Sequence, residues 1–416
     1  MNDTQRGFSS WLQSSFHRRW LAAEGERLLG FAKASLLPDG FGNLDEHGKL
    51  PAGAVAETMN TARMTHSFAL AHIAGLPGYA ALVDHGVAAL AGPLRDAEHE
   101  GWFAQPLAHT DDHGKAAYLH AFVALAASSA VVAQRPAGKA LLDAATRVIE
   151  QRFWDEDQGA MRESFARDWS GEEAYRGANS NMHATEAFLA LADATGEHKW
   201  LERALRIVER VIHGHAADNG YGVIEHFTPQ WQALPDYNQD NPADGFRPFG
   251  TTPGHAYEWS RLLLHLEAAR QRAGLPAPEW LLADARGLFE TACQHAWESD
   301  GAPGIVYTLD WNNRPVVRHR LHWVHAEAAA AASALLQRTG EHRYETWYRC
   351  FWEFCETHFI DRAHGSWRHE LDPQNRPSAD IWPGKPDLYH AWQATLLPVL
   401  PLSQSLASAM ANGFPR

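Results

Sequence analysis

The chain has 416 residues, of which 45% are hydrophobic and 21% are charged, and its formal net charge at pH 7 is −14. This composition is globular and excludes disordered, collagen-like and coiled-coil proteins. The acidic balance disfavours nucleic acids and anionic membranes, so neither is expected as a partner. Three cysteines, no run long enough to span a membrane and no signal-peptide pattern predict a cytoplasmic protein.

Long Ala/Leu-rich segments with a 3.6-residue hydrophobic period predict about twelve helices. Their predicted spans are 8–36, 56–75, 78–91, 113–131, 137–153, 179–195, 197–213, 253–273, 278–297, 322–339, 341–358 and 385–411. Short turns that contain Gly or Pro follow every second helix, whereas the other connections are long and rich in acidic, glycine and aromatic residues. Each unit is therefore predicted to be an outer helix, a long loop, an inner helix and a short turn.

A glycine recurs in the long loops, which indicates an internal repeat. The aligned glycines are Gly40, Gly101, Gly159, Gly220, Gly304 and Gly365. Four of their five spacings are 58 or 61 residues, and the fifth, of 84, contains an insertion near residues 229–250. Length alone would suggest two domains. Six stacked hairpins instead predict one all-α domain over residues 1–416, an (α/α)6 barrel whose long loops form an active-site mouth at one end.

The sharpest chemical motif is GHAYEW at residues 254–259, at the start of the fourth inner helix. His255 and Glu258 are three residues apart and share a helix face. The helix dipole disfavours a charged imidazole there, so His255 can act as a base near pH 7, with Glu258 orienting it or relaying a proton. A His–Glu surface pair is the alternative explanation.

His390, in the motif DLYHAW at residues 387–392, begins the last inner helix. We expect His255 and His390 to lie on opposite walls of the pocket and to flank one small substrate. A structural histidine is the alternative. The mouth therefore predicts acid–base chemistry.

Polar residues at other inner-helix starts suit a sugar. Arg63 and His66, and His183 with Asn179, offer hydrogen bonds to hydroxyls, and Arg63 could stabilise developing negative charge. A buried ion pair is the alternative role for Arg63. The 17 tryptophans include candidate stacking surfaces for a sugar, or core packing, at Trp323, Trp382 and Trp392.

No zinc-binding or nucleotide-binding motif occurs in the sequence. There is no HExxH, no Cys-rich zinc pattern, no GxGxxG after a strand and no GxxxxGK[ST]. His255 with Glu258 could offer two metal ligands, but a metal isomerase needs several carboxylates gathered together. We therefore expect neither a metal nor another cofactor.

Five segments together resemble the N-acylglucosamine 2-epimerase superfamily, and in particular its isomerases of mannose and sulfoquinovose. They are NTARMTH, the helix start that ends at His183, GHAYEW, HWVHAEA and KPDLYHAW. The resemblance covers essentially the whole chain and implies an (α/α)6 barrel without a metal. It implies catalytic roles for His255, His390 and Glu258. It implies substrate binding by Arg63, Tyr118, His183, Trp323 and Glu327. It implies the same role for Arg247, whose match to the family motif is less direct because of the insertion beside it.

The function expected from this resemblance is aldose–ketose isomerisation without a cofactor. D-mannose to D-fructose is the leading pair, and D-lyxose to D-xylulose is a second. His390 would open the sugar ring and His255 would take the C2 proton to form a cis-enediol, although the two roles could be exchanged. We expect a monosaccharide substrate and a monomer or homodimer.

Three alternatives stay open at this point. The first is a 2-epimerase of the N-acylglucosamine or cellobiose type, or a sulfoquinovose isomerase. The second is an (α/α)6 glycoside hydrolase, which would need two carboxylates about 5 to 9.5 Å apart. The third is a sugar-binding protein without catalysis.

Overall fold

Twelve main helices follow one another in the predicted order. A computed structural model describes residues 10–110 and 113–413, so positions 8 and 9 of the first predicted helix lie outside the described residues. The helices are α1 (Ser15–Ala32), α2 (Thr58–Ile73), α3 (Ala80–Ala91), α4 (Ala117–Val132), α5 (Gly138–Val148), α6 (Ala178–Thr195), α7 (Lys199–Val208), α8 (Pro253–Arg272), α9 (Trp280–Ala296), α10 (His322–Thr339), α11 (His342–Phe354), α12 (Tyr389–Leu396) and the short α13 (Leu406–Ala411).

The even-numbered helices α2 to α12 form a closed inner ring. Each contacts the next one along the chain, and α12 contacts α2. These helices are buried over most of their length, as expected for helices that are apolar on nearly all sides. The odd-numbered helices α1 to α11 pack outside them. The predicted all-helical (α/α)6 barrel is confirmed.

Among the described residues, ten two-residue strands lie in the connections between helices, and the sequence did not predict them. They are β1 (Leu36–Leu37), β2 (Gly40–Phe41), β3 (Lys115–Ala116), β4 (Trp154–Asp155), β5 (Ala160–Met161), β6 (Ser164–Phe165), β7 (Arg176–Gly177), β8 (His226–Phe227), β9 (Arg320–Leu321) and β10 (Glu370–Leu371). They form five antiparallel pairs, β1–β2, β3–β6, β4–β5, β7–β8 and β9–β10. Three of these pairs join neighbouring long loops at the mouth.

The repeated glycines share a backbone feature that L-residues rarely adopt. All six have a positive φ, between 61° and 140°. At Gly101 a Cβ atom would also lie 2.8 Å from Nε2 of His120, so a side chain would clash. The repeat in the sequence therefore marks a turn that requires glycine.

Three of the long loops are each joined by a buried ion pair to the inner helix that follows them. Each pair joins an aspartate four or five residues before the repeat glycine to a cation just before the helix. The pairs are Asp96–Lys115 at 2.9 Å, Asp300–Arg320 at 2.5 Å and Asp361–Lys385 at 2.7 Å. All six side chains are at most 5% exposed, so these pairs hold the mouth in place.

Several helix ends differ from the prediction. The predicted last helix, 385–411, is instead α12, a short 3-10 segment at Leu397–Val399 and α13. Pro398 and Pro401 lie at this break, because proline cannot donate the backbone hydrogen bond that would continue the helix. The predicted ends at 153, 213 and 358 fall in π-helical turns. Within the described ranges, no helix is both long and apolar enough to cross a membrane.

Candidate active site

A cavity opens at the end of the barrel where the long loops meet the inner-helix N-termini, and its empty space, counted together with the open solvent at its mouth, is about 660 Å³. Its lining consists of Met59, Asn60, Arg63, Tyr118, Asn179, His183, Gly245, Phe246, His255, Glu258, His322, Trp323, His369, Trp382, Pro386, Asp387 and His390. Eight of the ten predicted site residues are among them. Glu327 lies behind His390, and Arg247 lies outside the cavity.

His255 is hydrogen-bonded to a residue that the sequence did not single out. Its Nδ1 lies 2.9 Å from Oε1 of Glu225, whose side chain is 3% exposed. The predicted partner Glu258 instead accepts a hydrogen bond from Arg261 and lies 3.8 Å from Nδ1 of His183. The predicted His255–Glu258 pairing is therefore wrong, although both residues line the cavity.

His390 has the same kind of partner. Its Nδ1 donates to Oε1 of Glu327 at 2.8 Å, and its Nε2 lies 3.8 Å from Oδ2 of Asp387. Glu327 also accepts a hydrogen bond from Arg261 at 2.5 Å. Two imidazoles, each bonded through Nδ1 to a buried carboxylate, therefore face one cavity.

The indole of Trp323 lies between the two imidazoles. Its ring centroid is 5.2 Å from that of His255 and 5.7 Å from that of His390. The expectation that the histidines occupy opposite walls is wrong. Their helices, α8 and α12, both neighbour α10, which carries Trp323, so only one helix separates them.

The guanidinium of Arg261 lies close to three buried carboxyl groups beneath the cavity. It lies 2.5 Å from Glu327, 3.1 Å from Glu258 and 3.6 Å from Glu186. Burial and the neighbouring Glu327 raise the pKa of Glu258 well above its usual range. For Glu327 burial acts in the same direction, but Arg261 and His390 outweigh it and lower the pKa. Of the two carboxyl groups, Glu258 therefore holds a proton more readily than Glu327.

Some of the histidine and glutamate side chains at the cavity lie close enough together to hold a metal ion. Glu258, Glu327 and His390 form one such group, and His183, Glu186 and Glu258 form another. The guanidinium of Arg261 already supplies positive charge to all three of these glutamates. A divalent cation would have to share that space with it.

Arg63 faces the cavity with a neutral phenol and a carboxylate as partners. It donates to the Tyr118 hydroxyl at 2.9 Å and lies 3.9 Å from Asp387. Burial raises the pKa of Tyr118 to about 12, so the phenol keeps its proton. For Asp387 burial acts toward a higher pKa, but His390, His322 and Arg63 hold the pKa well below its usual range.

Asp387, His322 and His369 line the cavity but have no role in the sequence-based prediction. The rings of His322 and His369 stack with centroids 3.9 Å apart, and Nε2 of His322 lies 3.4 Å from Asp387. Burial lowers the pKa of both imidazoles. His322 and Asp387 stand in the two helix-start motifs, HWVHAEA and KPDLYHAW, which is the signal that could have found them.

Asn179 and His183 bring further unpaired polar atoms to the cavity. Within the described chain, Oδ1 of Asn179 and Nδ1 of His183 have no hydrogen-bond partner. Burial and nearby Arg63 lower the pKa of His183 well below its usual range, so it is neutral. Both residues line the cavity, although these two atoms are themselves buried.

Three other candidates lie away from the cavity. Arg247 donates to Glu173 at 2.7 Å. His66 is bonded to Ser129 at 2.7 Å, deeper in the barrel. Of the three proposed stacking tryptophans, Trp323 and Trp382 line the cavity, whereas Trp392 packs against α1.

Comparison with known proteins agrees with this geometry. Residues 40–394 match the profile of the N-acylglucosamine 2-epimerase (GlcNAc 2-epimerase) family. A D-mannose isomerase of Pseudomonas cannabina pv. alisalensis is 71% identical over 99% of this chain and 100% of its own length. Another, from Thermobifida fusca, is 54% identical over 97% of this chain and 99% of its own.

Similarity extends to a solved structure. A crystal structure of a D-mannose isomerase matches with a TM-score of 0.85 and 28% identity, covering 94% of this chain and 99% of that one. The sequence matches span nearly the whole chain, including every inner helix that contributes to the cavity. The protein belongs to the N-acylglucosamine 2-epimerase family.

Proposed function

We propose that the protein is an isomerase that converts D-mannose to D-fructose without a cofactor. The observation that carries this proposal is the pair of histidines, His255 and His390, on either side of Trp323 in one cavity. Each is bonded through Nδ1 to a buried carboxylate, so Nε2 is the atom left for chemistry. The two relatives named D-mannose isomerase that match over nearly the full chain support the same activity.

The first step is opening of the sugar ring at His390. The C1–O5 bond breaks, O5 gains a proton and the O1 hydroxyl loses one, which leaves an aldehyde at C1. His390 can give and take these protons because its Nε2 faces the cavity beside the ionised Asp387, 3.8 Å away.

His255 then takes the hydrogen at C2 as a proton. The electrons of the C2–H bond form a C1–C2 double bond, and O1 gains a proton to give a cis-enediol. The proton next returns to C1 while the O2 hydroxyl loses its proton, so the carbonyl moves to C2 and the ketose results. One base on one face of the sugar is sufficient.

The negative charge that develops on O1 and O2 needs donors. Arg63, the Tyr118 phenol and Glu258, whose raised pKa favours the protonated carboxyl group, all line the cavity and can donate hydrogen bonds. Because they are buried, such bonds are stronger than in water. The Trp323 indole offers an apolar face to the sugar between the two histidines.

We propose further that the enzyme is cytoplasmic, that residues 1–416 form one domain, and that it acts as a monomer or homodimer on a neutral monosaccharide. The free thiols Cys293, Cys350 and Cys355 fit a reducing compartment. A continuous apolar core that runs through all six hairpins supports a single domain. The only cation that lines the cavity among the described residues, Arg63, is close to Asp387, which leaves little net charge for an anionic sugar.

The proposal is tested by incubating the enzyme with D-mannose, D-lyxose, sulfoquinovose, N-acetylmannosamine and cellobiose, with products identified by NMR. Fructose from mannose is the expected result. Glucose without fructose would make the protein a 2-epimerase, and no conversion of mannose would overturn the proposal. His255→Ala and His390→Ala should each abolish turnover while the far-UV circular dichroism stays unchanged. Full activity in either variant would remove that histidine from the mechanism.

A further inference from the structure

The hydrogen bond between Glu225 and His255 joins a loop to the active-site helix α8. We propose that Glu225 is a positioning residue: it holds His255 with its proton on Nδ1, so that the bare Nε2 can take a proton from the sugar. The catalytic part of this proposal rests on the proposed isomerase function. The part that concerns which nitrogen of His255 carries the proton does not depend on that function.

The bond determines which nitrogen carries the proton. An ionised carboxylate can only accept hydrogen bonds, so the Nδ1 that lies 2.9 Å from Glu225 must be the protonated nitrogen of a neutral imidazole. The lone pair is then on Nε2. Without an acceptor at Nδ1 the proton could move to Nε2, and an imidazole in that form cannot act as a base there.

The glutamate partners of the two histidines differ in whether they also pair with a cation. Glu327 shares its charge between His390 and Arg261, whose Nε lies 2.5 Å away. Across residues 10–110 and 113–413, Glu225 has an ion pair with His255 and none with a lysine or arginine. The full charge of Glu225 is therefore available to stabilise the imidazolium that forms when His255 takes a proton.

The fold holds Glu225 in place through its own backbone oxygen and through the residue that follows it. Its backbone oxygen accepts a hydrogen bond from the backbone nitrogen of Ala178 at 2.9 Å, at the start of α6. The next residue, His226, begins β8 and is bonded to the Tyr175 hydroxyl at 2.6 Å and to the Pro248 carbonyl at 2.7 Å. A carboxylate fixed in this way can orient His255 without moving when the sugar binds.

The test compares Glu225→Leu, which removes the acceptor, with Glu225→Gln, whose amide oxygen can still accept from Nδ1 but has no charge. Glu163→Gln is the matched control, since Glu163 is also a buried carboxyl near the mouth but bonds to Ser180 and the Gly177 nitrogen instead of a histidine. The readouts are kcat and KM for D-mannose and the ¹⁵N chemical shifts of His255, which are assigned with a His255→Asn variant.

We expect kcat to fall about 10²- to 10⁴-fold in Glu225→Leu and by a smaller factor in Glu225→Gln, with KM within about threefold of wild type. The His255 shifts should change from the Nδ1–H form toward the Nε2–H form in Glu225→Leu. Glu163→Gln should leave both readouts at wild-type values.

Wild-type kcat in Glu225→Leu, or an Nδ1–H form of His255 that persists in this variant, would overturn the proposal. Thermal unfolding separates these outcomes from misfolding, and if Glu225→Leu does not fold, Glu225→Ala, which also lacks an acceptor for Nδ1, is judged by the same criteria. If the wild-type enzyme does not convert mannose, the isomerase proposal fails, while the ¹⁵N shifts still decide the role of Glu225.

Discussion

Replacing Arg320 with methionine should weaken the whole barrel, because this arginine fixes a mouth loop to the helix α10. Its side chain is 0% exposed, and its partner Asp300 is 3% exposed. The guanidinium donates to both Asp300 oxygens, at 2.7 Å and 2.5 Å, and to the backbone oxygens of Pro303, Arg318 and Ala302. Methionine fills similar volume but leaves the carboxylate and three carbonyls without these donors.

The expected cost follows from the burial of this pair. Removing one partner of a buried ion pair costs about 3 to 5 kcal/mol, because the other charge is left uncompensated. An unfolding entropy of about 2.1 cal/mol/K per residue, applied to the 416 residues of this chain, gives about 0.9 kcal/mol/K. The midpoint temperature should therefore fall by about 3 to 6 °C.

Urea and thermal unfolding of Arg320→Met measure this cost. Arg376→Met is the control, because Arg376 is 70% exposed beside Asp372 and should lose less than about 0.5 kcal/mol. The double variant Arg320→Met with Asp300→Asn should be more stable than Arg320→Met alone, since no buried charge is left unpaired. A loss below about 1 kcal/mol in Arg320→Met would refute the reasoning.

Two further predictions concern protonation. Burial alone would raise the pKa of Asp96, Asp300 and Asp361, but nearby cations and backbone N–H groups outweigh it and lower the pKa. As the pH falls, these three carboxylates are therefore protonated at a higher pH in the unfolded chain than in the folded one. The free energy of unfolding should then decrease as the pH falls below about 5, and an unchanged urea midpoint at pH 3.5 would contradict this. Glu258→Gln should cost less than about 1 kcal/mol and Glu327→Gln about 3 kcal/mol or more, because the raised pKa of Glu258 favours its protonated form and the lowered pKa of Glu327 favours its ionised form. Equal urea-derived costs would contradict the assigned charges.

The architecture could be predicted from the sequence because its signals are local and repeated. Helical periodicity and the recurrent glycines each depend on a few neighbouring residues, and six repeats reinforce one another. The conformation at Gly101, with φ of 74°, shows why glycine recurs. The helix ends were less predictable, as at Pro398, where a local break interrupts an apolar pattern.

The partners of the two cavity histidines could not be predicted in the same way. Spacing along a helix suggested Glu258 for His255, but both Glu258 and Arg261 share that side of α8, and the arginine attracts the carboxyl. The true partner, Glu225, is 30 residues away in a loop whose path depends on pairing with β7. Contacts of this kind depend on the assembled barrel.

The fate of the C2 hydrogen tests the central claim most directly. D-mannose is incubated with the enzyme in deuterated water, and the deuterium in the product is located by NMR. The account predicts fructose with deuterium at C1, because the proton taken by His255 exchanges with solvent before it returns, and no such product from His255→Ala. Fructose with only ordinary hydrogen at C1, or labelled fructose from His255→Ala at the wild-type rate, would contradict proton transfer by this histidine.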